Sequence, residues 1–390
     1  MRNTKVLCGS LFVGAGLLAT ALALSNDAKA QGAGEIVVKI GAAGPLTGPQ
    51  SHLGKDNENG TRMAIDDLNA QGVEIGGKKA KVELISEDDQ GDPQTGTIVA
   101  QRLVDLGVNG VIGHFNSGVS IPASKIYFDA GIPQISPSST NPKYTRQGFN
   151  TAFRLVANDI QQGTVDGEYA VKKLGAKRIA IIDDRTAYGQ GLADEFEKGA
   201  KASGAQIVTR EYTNDKATDF MAVLTNVKRK DPDLLFFGGI DAQSGPMLKQ
   251  MKNLGVGAKF MTGSGGCTPT FIKLAGDAAE GAYCSRAGTP VEQMPRGKEF
   301  QRRFAAKYGE IQNYAPYCYD AVYVLIAAMK AAGSAEPSKY LPSLGKVEYD
   351  GVTAKISFDP NGDLKVSSVT LFQDKNGKWE PLKTETTSAK

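Results

Sequence analysis

The chain has 390 residues, of which 41% are hydrophobic and 22% are charged, and its formal net charge is +3. This length exceeds that of a typical domain, so two domains are expected. A balance so close to neutrality does not favour nucleic acid or an anionic membrane surface as the main partner.

The N-terminus has the composition of a secretory signal peptide. Arg2 and Lys5 precede an apolar run at residues 11–24, and Ala28-Lys29-Ala30 offers small residues to a signal peptidase. The run is too short for a membrane span, and the sequence after it does not favour the alternative of a retained anchor. We expect residues 1–30 to be a signal peptide cleaved after Ala30, which leaves a periplasmic chain with 42 basic and 41 acidic residues.

Three cysteines remain after this cleavage. An oxidising compartment favours a disulfide between Cys267 and Cys284 and leaves Cys318 free. The cysteine spacings match no zinc pattern, and the only histidines are His52 and His114. We therefore expect no metal site and no cofactor, and few residues are available to activate a serine or cysteine nucleophile.

The first part of the exported chain alternates apolar strands with helical segments. A strand at residues 36–40 leads into a glycine-rich loop that lacks the Gly-Lys-Ser/Thr ending of a phosphate loop. A hairpin around Gly76-Gly77, a strand at 111–113, a helix near 121–129 and a strand at 132–136 follow. Strands and helices with short links are typical of βαβ units in a parallel sheet.

A second series of the same kind begins after residue 155, so the sequence predicts two doubly wound α/β lobes. Its strands are predicted near residues 179–182, 206–211, 234–237 and 259–262. Two helices and a β-rich C-terminal tail come next. Within this tail we expect strands at 352–358, 367–372 and 379–382, and disorder from residue 384.

Two strand-to-helix junctions between residues 113 and 140 form the most informative stretch. The first has Asn116 or Ser117 as the helix cap, and the second ends in the hydroxyl residues 138–140. In an open parallel sheet, such junctions lie side by side where ligands bind. Their N–H groups and hydroxyls suit a small carboxylate. A simple helix cap and a simple turn are the alternative interpretation.

Several short motifs follow one another in a specific order along the exported chain. They are Gly44-Pro45-Leu46-Thr47-Gly48, Asp92-Pro93, Val111-Ile112-Gly113-His114, Ser136-Pro137, Tyr188-Gly189-Gln190-Gly191, Gly238-Gly239 and Tyr317-Cys318-Tyr319-Asp320-Ala321. Together they resemble the substrate-binding proteins of branched-chain amino acid ABC transporters. The resemblance implies a type I periplasmic binding protein fold with three hinge crossings. Lobe 1 would be residues 31–157 plus 287–367, and lobe 2 residues 158–286 plus 368–390.

The same resemblance implies which residues bind the ligand. The carboxylate site would comprise Ser117, Ser138, Ser139 and Thr140. Tyr188 would form an aromatic wall in lobe 2, although simple packing on its neighbour is the alternative. Tyr314 and Leu53 would line the apolar pocket. His52, next to Leu53, could reach the ligand, and a solvated loop histidine is the simpler interpretation that we prefer.

One position departs from the family pattern. Ser264 stands where the family places an acid that pairs with the ligand ammonium. A buried ammonium without an anion would be costly. Either another acid serves, with Asp241 the nearest candidate because it follows a strand end, or the ligand lacks an amine. A helix N-cap is the alternative role for Asp241.

We therefore expect a monomeric exported receptor, not an enzyme, that binds a small amino acid of the branched-chain type. It would deliver this ligand to the membrane permease of an ABC importer. The alternatives are a receptor for a carboxylate without an amine, such as an aromatic or keto acid, and a ligand sensor. A hydrolase acting at Ser117 or Ser264 is a further alternative, but no base lies near either serine in the sequence.

Overall fold

Two large sheets flanked by helices and one small two-stranded sheet are built from residues 34–388, the part of the chain that the computed structural model describes. The predicted signal peptide and its cleavage site lie outside these residues. The first elements in chain order are β1 (Ile36–Gly44), α1 (Ser51–Gln71), β2 (Val73–Ile75), β3 (Lys78–Asp88), α2 (Pro93–Asp105), β4 (Gly110–Gly113), α3 (Ser117–Asp129), β5 (Gln134–Ser136) and β6 (Ala152–Arg154).

The elements of the second sheet follow, and the chain then returns to the first. The middle elements are α4 (Asp159–Lys172), β7 (Arg178–Asp183), α5 (Ala187–Ala202), β8 (Gln206–Tyr212), α6 (Met221–Arg229), β9 (Leu234–Gly238), α7 (Asp241–Asn253), β10 (Lys259–Thr262), α8 (Pro269–Ala275) and β11 (Tyr283–Arg286). The last elements are α9 (Gly297–Tyr308), α10 (Ala315–Ala332), α11 (Pro337–Leu344), β12 (Tyr349–Asp350), β13 (Lys355–Ile356), β14 (Val366–Lys375) and β15 (Lys378–Ser388).

The first sheet has the strand order β2-β3-β1-β4-β5-β6. Strands β2 and β3 form the predicted antiparallel hairpin, and every other pair in this sheet is parallel. Because β1 lies between β3 and β4, the order of the strands reverses beside it. A crevice at the carboxyl ends of the strands is expected at such a reversal.

The second sheet has the order β15-β14-β11-β10-β9-β7-β8. It is parallel from β8 to β11, and β14 and β15 extend it in the antiparallel sense. Strand β9 is fully buried because helices cover both faces of the sheet. The predicted fold class, two doubly wound sheets with a β-rich tail, is confirmed.

The chain passes between the two sheets three times, after β6, after β11 and before β14. After the second passage, α10 packs closely on α1 beside the first sheet. A Cβ atom at Gly60 of α1 would lie 2.2 Å from the carbonyl oxygen of Ala315, so this contact requires glycine. The exact boundaries of the lobes stay a prediction.

The tail differs from the prediction at both of its ends. Disorder is wrong for residues 384–388, because β15 continues to Ser388 along β14 and the Thr370 and Thr384 hydroxyls are 3.0 Å apart, and the last two residues lie outside the described range. The strand predicted at 352–358 is reduced to β13. The main-chain N–H groups of Val352 and Thr353 donate instead to the buried Asp320 carboxylate at 2.7 and 2.8 Å, which holds this segment as a loop.

Arg154, at the end of β6, joins the first and third passages. Its fully buried guanidinium donates twice to Asp363 Oδ1, from Nε at 2.9 Å and from Nη2 at 2.7 Å. The other donors reach the carbonyl oxygens of Ser139 and Asn141 and the Thr145 hydroxyl. Burial alone would raise the pKa of Asp363, but the Arg154 charge and the hydrogen bonds from Arg154, Thr145 and Asn158 together outweigh it and hold that pKa below its usual value.

Replacing Arg154 with methionine should lower the free energy of unfolding by about 3–5 kcal/mol, because it leaves the buried Asp363 carboxylate without a cation, with only the Thr145 hydroxyl and the Asn158 amide donating to it. Urea denaturation at neutral pH measures this change. The loss should shrink in acid, since Asp363 becomes protonated there and no longer needs a cation. Arg62→Met, which breaks only the exposed pair with Glu58, is the control and should cost about 1 kcal/mol or less. Equal losses in both variants would contradict this role of Arg154.

Candidate functional site

A cavity of about 340 Å³ lies at the carboxyl ends of strands from both sheets. Residues that follow β4 and β5 form one side, and residues that follow β7 and β9 form the other. The lining residues are Gln50, Gly91, Pro93, Phe115, Asn116, Ser117, Gly118, Val119, Ser138, Asp184, Arg185, Thr186, Ala187, Tyr188, Asp215, Ile240, Gly265 and Tyr314. A ligand in this cavity would touch both sheets at once.

The N-terminus of α3 opens onto the cavity, since residues 116–119 all line it. Asn116 occupies the N-cap position, but its side chain makes no capping hydrogen bond. The first N–H groups of a helix have no partner within it, and the helix dipole makes this end positive. Ser117 Oγ accepts the N–H of Asn141 at 3.2 Å, so its own hydrogen can point to an anion. This end of α3 is chemically suited to a carboxylate.

The three hydroxyl residues after β5 have different surroundings. Ser138 lines the cavity, and its Oγ donates to the Phe115 carbonyl oxygen at 3.0 Å. Ser139 is fully buried, with its Oγ 2.6 Å from Ser120 Oγ. Thr140 is also buried, and its Oγ1 makes no hydrogen bond with any residue of 34–388. Only Ser138 of the three contributes to the cavity lining.

Two tyrosines form walls of the cavity on opposite sides. The Tyr188 hydroxyl, in the first turn of α5, accepts the N–H of Gly265 at 2.8 Å. A Cβ atom at Gly265 would lie 2.9 Å from both the Gly239 carbonyl oxygen and Tyr188 Cε1, so this approach requires glycine. Tyr314 lies directly before α10, and burial raises the pKa of its hydroxyl to about 12. Both tyrosines are therefore neutral hydrogen-bonding groups at physiological pH.

Asp241 and His52 contact each other outside the cavity lining. Asp241 is fully buried, and its Oδ2 lies 2.7 Å from His52 Nε2 and accepts the Thr268 hydroxyl at 2.6 Å. The N-cap role is wrong for Asp241, because Ile240 occupies the cap of α7 and Asp241 is its first helical residue. A solvated loop histidine is also wrong, since His52 lies in the first turn of α1 and only 22% of its side chain is exposed.

Leu53 and Ser264 lie behind the cavity wall. Leu53 is fully buried in the apolar core around the first sheet, where it faces inward from α1. Ser264 Oγ accepts the Gln162 side-chain amide and the main-chain N–H of Ala287, both at 2.9 Å. The hydroxyl at the position where an acid is expected is therefore already bonded, and only its neighbour Gly265 lines the cavity.

Sequence reasoning did not identify Asp184 and Asp215, two acids that line the cavity from the second sheet. Asp184 Oδ1 accepts the N–H and the hydroxyl of Thr186 at 2.9 and 2.7 Å. Burial raises the pKa of Asp184 to about 6. Asp184 follows the buried strand β7 directly. The same strand-end position pointed to Asp241, so it could also have identified Asp184.

The remaining predictions concern cysteines and metals. Cys267 and Cys284 are joined by a disulfide in the second sheet, where Phe372 and Trp379 pack on it, and Cys318 is free and buried. Within residues 34–388, no group of three or more His, Cys, Asp or Glu side chains is arranged to hold a metal ion. In the same range, no helix is both long and apolar enough to cross a membrane.

Residues 37–378 match the family model described as periplasmic binding protein. The chain belongs to this family. An amino acid binding protein of Pseudomonas aeruginosa is 36% identical over 349 residues, which cover 88% of this chain and 92% of that protein. The Leu/Ile/Val-binding protein homolog 1 of Brucella suis is 36% identical over 372 residues, covering 95% and 96%.

A solved structure in the family extends the likeness to three dimensions. The branched-chain amino acid transporter substrate binding protein LivJ of Streptococcus pneumoniae, in complex with isoleucine, matches with a TM-score of 0.81. It is 27% identical, and the match covers 90% of this chain and 100% of that chain. These relatives are binding proteins rather than enzymes.

Hydrogen bonds also join the two sides of the cleft around the cavity. The pairs are Asn141 Nδ2 with the Ala187 carbonyl oxygen at 2.7 Å, Asn313 Nδ2 with the Ser264 carbonyl oxygen at 2.9 Å, and His52 Nε2 with Asp241 Oδ2 at 2.7 Å. Each pair links a residue beside the first sheet to one beside the second. The two sides are therefore in direct contact in this conformation.

Removing the Tyr188 hydroxyl should destabilise the protein, because the Gly265 N–H would lose its acceptor. We expect Tyr188→Phe to lower the free energy of unfolding by about 1–3 kcal/mol in urea denaturation. Tyr212→Phe is the matched control, since 62% of Tyr212 is exposed, and it should change stability by about 0.5 kcal/mol or less. If both variants were as stable as the wild type, the Tyr188–Gly265 bond would contribute nothing.

Proposed function

We propose that this protein is the exported solute receptor of an ABC importer, and that it binds a branched-chain amino acid between two lobes for delivery to the membrane permease. The observation that supports this most directly is the open N-terminus of α3 at Ser117, facing a cavity bounded by both sheets. The relatives named for Leu/Ile/Val and the isoleucine complex support the same ligand class.

The chemistry of the lining fits a small aliphatic amino acid. Ser117 and the first N–H groups of α3 provide donors for the ligand carboxylate. Ser138 lines the same side, with its hydroxyl hydrogen held by the Phe115 carbonyl oxygen. Phe115, Val119 and Ile240, together with the two tyrosine rings, offer apolar surface for the side chain. Ser117 Oγ accepts a backbone N–H and Ser264 Oγ is bonded to Gln162 and Ala287, which supports a binding role for these residues over hydrolysis.

Ligand capture is proposed to proceed by closure of two lobes, residues 31–157 plus 287–367 and residues 158–286 plus 368–390. The bonds between the two sides of the cleft can form only when the lobes are close, so they add stability to the closed state alone. A ligand that touches both walls of the cavity also favours the closed state over the open one. The permease would then recognise the closed form of a monomer that has been released into the periplasm by cleavage after Ala30.

A carboxylate ligand without an amine, such as an aromatic or keto acid, is the rival that Ser264 favours. A sensor that reports to a membrane receptor would share the same fold and site. Copurification with a permease rather than a receptor separates transport from sensing.

Isothermal titration with leucine, isoleucine and valine tests the ligand class directly. Ser117→Ala should weaken leucine binding about tenfold, since it removes one hydrogen bond to a charged group. Ser124→Ala, at a buried serine on the same helix but outside the cavity lining, is the control and should bind normally. The absence of heat for all three amino acids with the wild type would overturn the branched-chain assignment.

Loss of the His52–Asp241 contact should weaken ligand binding through the closed state. His52→Ala is expected to raise the leucine dissociation constant about fivefold to tenfold, mainly through faster dissociation in stopped-flow measurements. Lys55→Ala removes an exposed side chain from the same helix and should leave dissociation unchanged. Equal dissociation rates for wild type and His52→Ala would rule out this contact as a contributor to closure.

A further inference from the structure

Ser264 leaves open which acid of the cleft would pair with the ammonium group of an amino acid ligand. Such an acid must have an oxygen that no other residue engages and that a molecule in the cavity can reach. Asp159, Asp166 and Asp241 each keep an oxygen without a partner within residues 34–388. These oxygens are enclosed by protein, and none of the three residues lines the cavity, so they do not meet the second requirement.

Asp184 meets both requirements. Its Oδ1 accepts the N–H and the hydroxyl of Thr186 at 2.9 and 2.7 Å, and no hydrogen bond from residues 34–388 reaches its Oδ2. Asp184 lines the cavity, and 2% of the residue is exposed. Its Oδ2 is not one of the enclosed atoms without a partner, so this small exposed area includes Oδ2 and faces the cavity.

Two glycines make room for the Asp184 carboxylate. A Cβ atom at Gly189 of α5 would lie 2.1 Å from Asp184 Oδ1, and one at Gly239, directly after β9, would lie 2.9 Å from Asp184 Oδ2. A side chain at either position would therefore displace the carboxylate. The backbone of two neighbouring strand ends thus holds Asp184 in the second wall of the cavity.

The nearby cation does not neutralise Asp184. Arg185 also lines the cavity, but its guanidinium stacks on the exposed ring of Tyr212, with its central carbon 4.0 Å from the ring centre. The charges that act on Asp184 are those of Asp215 and Asp183, and both are negative. This wall therefore has an excess of negative charge that a ligand cation would offset.

The N-terminus of α3 lies close to this wall. A Cβ atom at Gly118, in the first turn of α3, would lie 3.7 Å from the Cβ atom of Ala187, which begins α5 three residues after Asp184. Both helix N-termini are positive. Asp184 adds a negative charge beside the N-terminus of α5, whereas the N-terminus of α3 keeps its positive character. A zwitterion with neighbouring carboxylate and ammonium groups matches these two walls.

We propose that Asp184 is the counter-ion of the ligand ammonium, with Oδ2 as the accepting oxygen, so that the receptor selects α-amino acids although residue 264 is a serine. This inference rests on the proposed function and adds the residue that recognises the amine. The ligand carboxylate meets the N-terminus of α3 at Ser117, and the ammonium meets Asp184 on the opposite wall. A carboxylate without an amine is instead repelled by Asp184.

Several ionisable groups lie near Asp184 on the elements packed against it. They are Asp183 on β7, Arg185 before α5, Tyr188 on α5, Asp215 after β8 and Asp241 on α7. Asp183 is paired with Arg210, and Asp241 contacts His52 and Thr268. Burial raises the pKa of Tyr188, which keeps it neutral. Asp215 is only partly buried, so water weakens its interaction with a ligand.

The protonation of Asp184 provides a second measure of ligand binding. Burial raises the pKa of Asp184 to about 6, the hydrogen bonds from Thr186 lower it, and the charges of Asp215 and Asp183 raise it. A ligand ammonium favours the ionised form. Leucine binding should therefore release a proton near pH 6, and leucine affinity should rise from about pH 5 to about pH 7 and then become constant.

The decisive experiment compares leucine with its 2-oxo analogue, 4-methyl-2-oxopentanoate, by isothermal titration at about pH 8. Asp184→Asn keeps an oxygen for the two Thr186 bonds but replaces Oδ2 with an N–H donor, so leucine binding should weaken at least about thirtyfold. The oxo acid should bind at least as tightly as to the wild type, because a repelling charge is removed. Asp183→Asn is the matched control: this adjacent buried acid is outside the cavity lining and already paired with Arg210, so leucine affinity should change less than about threefold.

Leucine binding by Asp184→Asn within about threefold of the wild type, or an equal loss for leucine and the oxo acid, would overturn the assignment. If Asp184→Asn fails to fold, the wild type decides: a leucine affinity that is constant from about pH 5 to about pH 7 overturns it, and a rise for leucine but not for the oxo acid supports it. If the wild type binds no branched-chain amino acid, the proposed function fails separately. A thermal-shift panel of L-amino acids and their 2-oxo analogues then tests Asp184, and stabilisation by no amine-bearing ligand would overturn its role.

Discussion

The guanidinium of Arg154 is the interaction on which the arrangement of the cleft depends. It is fully buried, and one planar group fixes the carbonyl oxygens of Ser139 and Asn141 and the carboxylate of Asp363. The first two belong to the strand end that faces the ligand, and the third belongs to the segment that leads into the last passage between the sheets. A guanidinium buried away from water is stable only if each of its N–H donors has an acceptor. The loop after β5, which supplies two of these acceptors, therefore has little freedom in its conformation.

The same contacts fix the backbone on one side of the cavity. Arg154 donates to the carbonyl oxygen of Ser139 within the hydroxyl residues 138–140. The Ser139 hydroxyl also contacts the buried Ser120 hydroxyl. A carboxylate that bound at this end of the cavity, as proposed, would meet groups already fixed in place, and its binding would cost little entropy. In the proposed closure, the bonds across the cleft would belong to the closed state alone.

The alternation of strands and helices was sufficient to predict the two doubly wound sheets and the strand ends that form the cavity, because periodicity and turn residues act locally. Ser117, Ser138, Tyr188 and Tyr314 were selected on that basis and by family resemblance, and all four line the cavity. The partners of buried charges could not be predicted. Asp363 is 209 residues from Arg154, and Asp241 is 189 residues from His52. A position directly after a strand places an acid near the carboxyl end of the sheet. Only the tertiary contacts show whether another side chain already pairs with that acid.

The contrast between Asp241 and Asp159 follows from that limit and bears on stability. Both acids are buried first residues of helices that follow strands, yet Asp241 Oδ2 contacts a histidine and accepts a threonine hydroxyl, whereas Asp159 has no such partner for either oxygen within residues 34–388. The burial of Asp159 favours its protonated form, so the protein loses stability as the pH rises from the ordinary Asp range through about 7.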